Sequence, residues 1–149
     1  MNTQNHALLT AAISESLRSP EPPAGAGLLH GDISRAIIGA AIEVHKWLGP
    51  GQLESTYQHA LERELAFREI AHEAQVPITA FYKGAPVGNF VVDLIVEDAV
   101  VVELKVVAKL LPVHRQQLTS YLRTTGHRLG LLINFHVPVL VQGVKRVLP

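Results

Sequence analysis

Apolar residues recur at spacings of three and four from Ile33 through Ile37, Ile38, Ala41 and Val44 to Leu48, the period of an amphipathic helix. Asp32 or Ser34 can cap this helix, and Gly49-Pro50-Gly51 stops it. A second helix is expected from about Leu53 to Phe67, with Leu53, Tyr57, Ala60, Leu61 and Leu65 on one face. The pattern then changes period. Ala74 to Phe81 carries β-branched Val76, Ile78 and Thr79, and Tyr82-Lys83-Gly84-Ala85 reads as a turn. Val87 to Val96 and Val100 to Val107 are near-continuous apolar runs joined by Glu97-Asp98-Ala99. Such runs predict strands covered on both faces. Pro112 to Thr124 reads as a helix ended by Gly126, Leu129 to Ile133 as another buried strand, and Val144 to Leu148 as a final edge strand. The order ααβββαβ, with that edge strand added, predicts an α/β domain whose mixed sheet is flanked by helices.

The chain has 149 residues, 48% of them apolar and 17% charged, which suits one globular domain over residues 32–149. Residues 1–31 contain Ser19-Pro20-Glu21-Pro22-Pro23-Ala24-Gly25-Ala26-Gly27, a stretch unfit for helix or strand. They are expected to form a flexible tail, with a short helix available over Leu8 to Leu17. No run approaches the roughly 18 to 20 apolar residues that span a bilayer, so no membrane partner is expected. Polar Asn2, Gln4, Asn5 and His6 do not open a secretory signal, and the lack of cysteine excludes disulfides, thiolate metal sites and a cysteine nucleophile. These features predict a cytoplasmic protein. The net charge is zero but unevenly spread: residues 1–104 hold all 13 acidic side chains, and residues 105–149 hold seven basic ones and no acid. That asymmetry suits a polyanionic partner, unless the two stretches interleave in space and mix their charges.

Three charged residues interrupt the buried strands: Asp93 in the first long run, and Glu103 and Lys105 in the second. Buried charge is costly unless paired or bound to metal. Glu103 and Lys105 are two residues apart and share a face. If residues 97–99 form a three-residue loop, Asp93 lies across from Glu103 with Cβ atoms roughly 5 Å apart; a two-residue loop would offset them. Two carboxylates so placed repel, and a divalent cation removes the conflict. Oxygen ligands without His or Cys favour Mg²⁺ or Mn²⁺ over zinc. The alternative is a buried salt bridge from Lys105 that fixes strand register.

This arrangement, an Asp followed after a hairpin by Glu-x-Lys, resembles the catalytic core of the PD-(D/E)XK nuclease superfamily. The surrounding text is similar to one of its families, the GxxExxY proteins. Gly51-Gln52-Leu53-Glu54-Ser55-Thr56-Tyr57 matches that signature, and Lys109-Leu110-Leu111-Pro112-Val113-His114, Gln117-Leu118-Thr119-Ser120-Tyr121-Leu122 and Gly130-Leu131-Leu132-Ile133-Asn134-Phe135 look like the helix and strand that follow. The resemblance covers residues 33–148 and implies a restriction-endonuclease-like core. One departure is that Val92 stands where the superfamily has proline before the Asp.

The resemblance implies Mg²⁺- or Mn²⁺-dependent hydrolysis of nucleic acid, with DNA favoured over RNA. Asp93 and Glu103 would bind the ion, with Glu54 and the Leu104 carbonyl as further ligands. Lys105 would orient water or neutralise developing charge, and Gln117 would stand beside it. Taken alone, Glu54 is an ordinary helix-start acid and Gln117 an exposed polar residue. Tyr121 could support Gln117 or pack; Tyr57 is more often core than ligand contact. His114 could touch phosphate, or the helix start. Lys109 and Arg115 suit phosphate contacts or a solvated surface. The rival function is a non-catalytic nucleic-acid or protein interaction module with the same fold, acting as a homodimer or in a larger complex. The zero net charge and small size favour that rival.

Overall fold

The structure, a computed structural model, describes residues 29–149; the helix expected over Leu8 to Leu17 lies outside them. Two helices come first, α1 (Gly31–Leu48) and α2 (Glu54–Phe67). Strands β1 (His72–Tyr82), β2 (Ala85–Val96) and β3 (Val100–Lys105) form a meander, helix α3 (Pro112–Thr125) crosses over, and β4 (Leu129–Asn134) follows. A 3₁₀ turn over Leu140–Gly143, absent from the sequence expectation, leads into β5 (Val144–Val147). The five strands lie in sequence order. All neighbours are antiparallel except β3 and β4, which the α3 crossover makes parallel. The chain therefore has the α/β architecture with a mixed sheet that its periodicity predicts, consistent with a restriction-endonuclease-like core.

Each helix ends where the backbone requires it. Gly49 stops α1 at φ 65° and Gly126 stops α3 at φ 78°, left-handed conformations that cost glycine least. Lys83 and Gly84 both take positive φ between the paired Tyr82 and Ala85, as a two-residue hairpin turn demands. The β2–β3 loop has three residues, since Val96 pairs with Val100; Glu97 and Asp98 take φ 54° and 50°. Continuing that register puts Asp93 across from Glu103.

Both sheet faces are covered. Ile33, Ile37, Ala41 and Val44 of α1, with Tyr57, Leu61 and Leu65 of α2, pack on Leu94, Val96, Val102, Leu104, Leu131 and Ile133. Leu118 and Leu122 of α3 pack on the other face against Val92, Ile95, Val101, Leu132 and Val147. The layers also sort the charge in part: α3 carries Arg115 and Arg123 and no acid, whereas α1 and α2 carry Asp32, Glu43, Glu54, Glu62 and Glu64 against Arg35, Lys46 and Arg63. The asymmetry along the chain thus persists between the two helical layers.

Two strands depart from expectation. Val87–Val91 was expected to be buried on both faces, yet Val87 is 62% exposed. The reason is pairing: β3 joins β2 only from Leu94 onward, so the earlier half of β2 bonds β1 alone and the hairpin projects. The second departure is that β3 ends at Lys105 rather than Val107. The side-chain amide of Asn134 accepts from the Val107 N–H (3.2 Å) and donates to the Val107 carbonyl (2.8 Å), taking the place of a strand partner.

The 3₁₀ turn reaches this junction through Gly143, where any Cβ would collide with the Asn134 carbonyl oxygen. Gly143→Ala is expected to lower the unfolding free energy by about 2–4 kcal/mol. Gly88→Ala, at a position with open space around it, should stay within about 0.5 kcal/mol. Urea denaturation of both variants beside the parent chain checks the contrast.

Candidate active site

The backbone ladder between β2 and β3 stops at Leu94 and Val102, and side chains continue it. The Asp93 N–H donates to Glu103 Oε1 at 3.1 Å, and the Leu104 N–H donates to Asp93 Oδ2 at 2.8 Å. Each carboxylate thereby satisfies an amide of the opposite strand and keeps its second oxygen for other partners. Gln75 Nε2 stands 3.5 Å from Asp93 Oδ1, and Gln58 of α2 donates to the Asp93 carbonyl at 2.9 Å. Gln75 itself has φ 50°, a left-handed conformation costing a non-glycine residue about 1 kcal/mol. Packing changes phase here: Leu94 and Val96 face α1 and α2, while Phe90 and Val92 join the α3 side. Asp93 therefore occupies a kink, where the projecting hairpin leaves the sheet.

Lys105 follows Glu103 on the same face, and its Nζ lies 3.4 Å from Gln117 Oε1 of α3. Gln117 also bonds the Tyr121 side chain, one turn on. The Tyr121 ring stacks on Phe90 with centroids 4.2 Å apart, which fastens the hairpin to α3. The Lys105 carbonyl accepts from the Phe135 N–H at 3.0 Å. Asn134, only 2% exposed, holds the next residues from the adjoining strand. Asn134 carries no chemistry of its own, and its role as a brace shows only once β3 and β4 are paired.

Glu54 opens α2, exposed in its first turn. The loop that delivers it is held by Tyr57, whose hydroxyl donates to the Gly49 carbonyl and accepts from the Gln52 N–H at 3.2 Å. The Tyr57 ring is fully buried, stacked on Phe135 at 4.4 Å. The Gly51-x-x-Glu54-x-x-Tyr57 spacing thus has a local cause: one helical turn after Glu54, a tyrosine ties down the Gly-Pro-Gly loop. Of the two readings for Tyr57, the structure places it in the core.

Electrostatics couple the carboxylates. Burial, then the neighbouring Asp93, push the Glu103 carboxyl up to about 8, against the Asp93 N–H bond and Lys105. Burial also raises Asp93, opposed by the Leu104 N–H, Gln75 and Lys105. Glu54, though exposed at its helix start, is raised by partial desolvation and by Asp93, and lowered by Lys105. Tyr121 is raised by burial and by Glu103. Fully ionised, three carboxylates against one ammonium leave two negative charges uncompensated, the charge of one divalent cation. The donor set fits such an ion in part. Asp93 and Glu103 converge, but among the described residues no three His, Cys, Asp or Glu side chains gather closely enough to ligate one ion. Glu54 acts on the pair electrostatically without converging with it.

The structure does not draw every expected contact into this cluster. His114 Nδ1 accepts from the Leu111 N–H at 3.0 Å, a helix-start contact. Lys109 is exposed. Arg115 lines a different surface of α3 with Thr119 and Arg123.

A family model described as the PD-(D/E)XK nuclease superfamily matches residues 31–147. No curated protein and no solved structure is matched.

The charge conflict has a measurable sign. An acid whose carboxyl is raised on folding stabilises the fold fully below its unfolded value near 4.5, and that contribution is lost as pH rises through about 8. Metal-free protein should therefore lose on the order of a few kcal/mol between pH 4.5 and 9 through Glu103. Glu103→Gln should flatten this dependence, and so should saturating Mn²⁺. Thermal unfolding across pH with and without Mn²⁺ reads both effects.

Proposed function

The chain belongs to the PD-(D/E)XK nuclease superfamily, and from that premise we propose that it hydrolyses phosphodiester bonds of nucleic acid with Mg²⁺ or Mn²⁺. Members of the superfamily generally use divalent ions. One observation carries the reading: Asp93 and Glu103 interlock across two strands, and Lys105, on the strand of Glu103, is held by Gln117. The Gly51–Tyr57 motif, similar to the GxxExxY signature, supports it by presenting Glu54 at the rim of the pair.

Asp93 and Glu103 are the residues assigned to hold the ion, with the Leu104 carbonyl as a further oxygen ligand and Glu54 adding negative charge from α2. A bound ion would acidify water and stabilise charge on the phosphate. Lys105 is the residue assigned to orient the attacking water or to neutralise charge developing on the phosphate. Gln117 accepts from Lys105 and fixes its direction; Tyr121, between Gln117 and Phe90, keeps that helix face in place. His114 and Tyr57 act as supports for α3 and for the Glu54 loop.

A second reading is a non-catalytic interaction module. One observation favours it, namely that no third carboxylate converges with Asp93 and Glu103 among the described residues. It predicts metal binding without turnover.

The experiment measures cleavage of single-stranded, duplex and structured DNA and RNA with Mg²⁺, with Mn²⁺ and with chelator. Wild type should cleave only with metal, and Lys105→Ala should lose about a hundredfold or more. Calorimetry with Mn²⁺ should show binding kept in Lys105→Ala and lost in Asp93→Asn. Equal cleavage by Lys105→Ala, or none by wild type under either metal, overturns the nuclease reading.

A further inference from the structure

Away from the catalytic cluster, α3 presents a second polar surface. Arg115, Gln116, Thr119, Ser120 and Arg123 line a groove of about 360 Å³. Ser120 and Arg123 also border a depression of about 390 Å³ whose far wall is Thr79, Ala80 and Phe81 of the projecting hairpin. The two are contiguous. Helical geometry puts Arg115 and Arg123 on one stripe of α3, roughly a third to half a turn round from Gln117. Ser120 lies between that stripe and Tyr121, so the groove starts where the catalytic face of the helix ends.

The chemistry of the lining is specific. It holds two guanidinium groups, several hydroxyls and no carboxylate, and α3 carries no acid that would neutralise the arginines. At its hairpin end stands Phe81, 66% exposed. An aromatic ring left in water beside Arg123, with Arg115 further along the helix, suits a ligand that is both anionic and flat-faced. A nucleic-acid strand offers phosphates at regular intervals and a base between them. A duplex hides its base faces in the stack, whereas an unpaired strand offers them.

We propose that the groove between α3 and the β1–β2 hairpin is a track for unpaired nucleic acid flanking the cleavage point. In this track, Arg115 and Arg123 hold phosphates and Phe81 stacks on a base. The proposal rests on nucleic acid being the substrate, and it narrows the class to single-stranded segments, DNA or RNA. Arginine suits the task because its planar fork bonds phosphate oxygens in pairs. Ser120 adds a hydroxyl donor on the same path, whereas the Thr79 and Thr119 hydroxyls already donate to Asn89 and to the Leu148 carbonyl.

The test is metal-free binding, so that it does not depend on turnover. Fluorescence anisotropy is measured on wild type with a labelled single-stranded DNA, the matching RNA, their duplexes and a strand carrying abasic positions. Wild type should prefer the single strands. Arg115→Ala/Arg123→Ala should bind them about tenfold more weakly and lower the slope of log affinity against log salt by about 1.4, the value for two contacts to a single strand. Phe81→Ala should weaken intact strands about fivefold or more and leave the abasic strand unchanged. Which of DNA and RNA binds more tightly identifies the natural strand. All three positions are exposed, so unchanged unfolding midpoints should accompany these losses.

Several results would overturn the track: a salt slope unmoved by the double arginine variant, equal loss by Phe81→Ala on intact and abasic strands, a preference for duplex, or displacement by polyglutamate as readily as by oligonucleotide. No strand binding by wild type would do the same. The nuclease reading fails separately, if wild type binds strands in this way yet never cleaves them with Mg²⁺ or Mn²⁺.

Discussion

Across β2 and β3, two backbone amides are satisfied by carboxylates of the opposing strand rather than by carbonyls, and the rest of the site follows from that exchange. The Asp93 N–H bonds Glu103, and the Leu104 N–H bonds Asp93. An ordinary ladder would have continued through these residues, and the carboxylates would then have faced each other with no structural duty. The bonds hold both groups in place although burial and mutual repulsion work against their ionisation. They occupy one oxygen of each carboxylate; the second oxygen of Asp93 takes only the long Gln75 contact of 3.5 Å, and that of Glu103 is left for another partner. A pair fixed in this way is preorganised for a cation, since little side-chain freedom remains to be lost when one binds.

The same exchange shapes the molecule beyond the site. Because β3 stops following β2 at Leu94, the earlier half of β2 and all of its β1 partner beyond Val76 run on as a two-stranded arm. An isolated hairpin is marginal in water, and this one is fastened by Phe90 stacking on Tyr121. That contact links the arm to the helix that holds Gln117, which in turn holds Lys105. Asn134 and Phe135 secure the other end of β3 from β4. The end of β3 that carries Glu103 and Lys105 is thus fixed from three directions: β2 through the carboxylates, α3 through Gln117, and β4 through Asn134.

Much of this was legible in the sequence because the features that encode it are local. Helix periods, the glycines at 49 and 126, and the Lys83-Gly84 turn are read from neighbours in the chain. The three residues between Val96 and Val100 determine that Asp93 meets Glu103, so two distant ions could be paired by counting. Other features had no local signal. Val87 and Val91 look like buried strand residues, since only the point at which β3 diverges decides their exposure. Gln75 gives no sign of its left-handed backbone, which belongs to the kink opposite Asp93. Asn134 and the Tyr57 hydroxyl act on groups reached only through the fold. Arg115 was expected near the catalytic residues because it is close to them in sequence, but two residues along a helix is about half a turn and leads to another surface.

Zero net charge weighed against a polyanionic partner only while the charges were counted without position. The fold leaves an excess of acid on α1 and α2 on one face of the sheet, where Arg35, Lys46 and Arg63 offset only part of it, and puts Arg115 and Arg123 with no acid on α3 on the other. At physiological salt the screening length is about 8 Å, less than the roughly 10 Å between one packed layer and the next, and the two helical layers have the whole sheet between them. A strand lying along α3 is therefore governed more by the nearby arginines than by the acids beyond the sheet. The acids of the site, Asp93, Glu103 and Glu54, would repel that strand at the point of cleavage unless their charge is neutralised. In the proposed function Lys105 would offset part of it and a divalent cation the remainder, so the ion would serve approach as well as chemistry. The proposed groove and metal site would be electrically dependent: the arginines would attract the strand, and a filled site would allow its phosphate to come in.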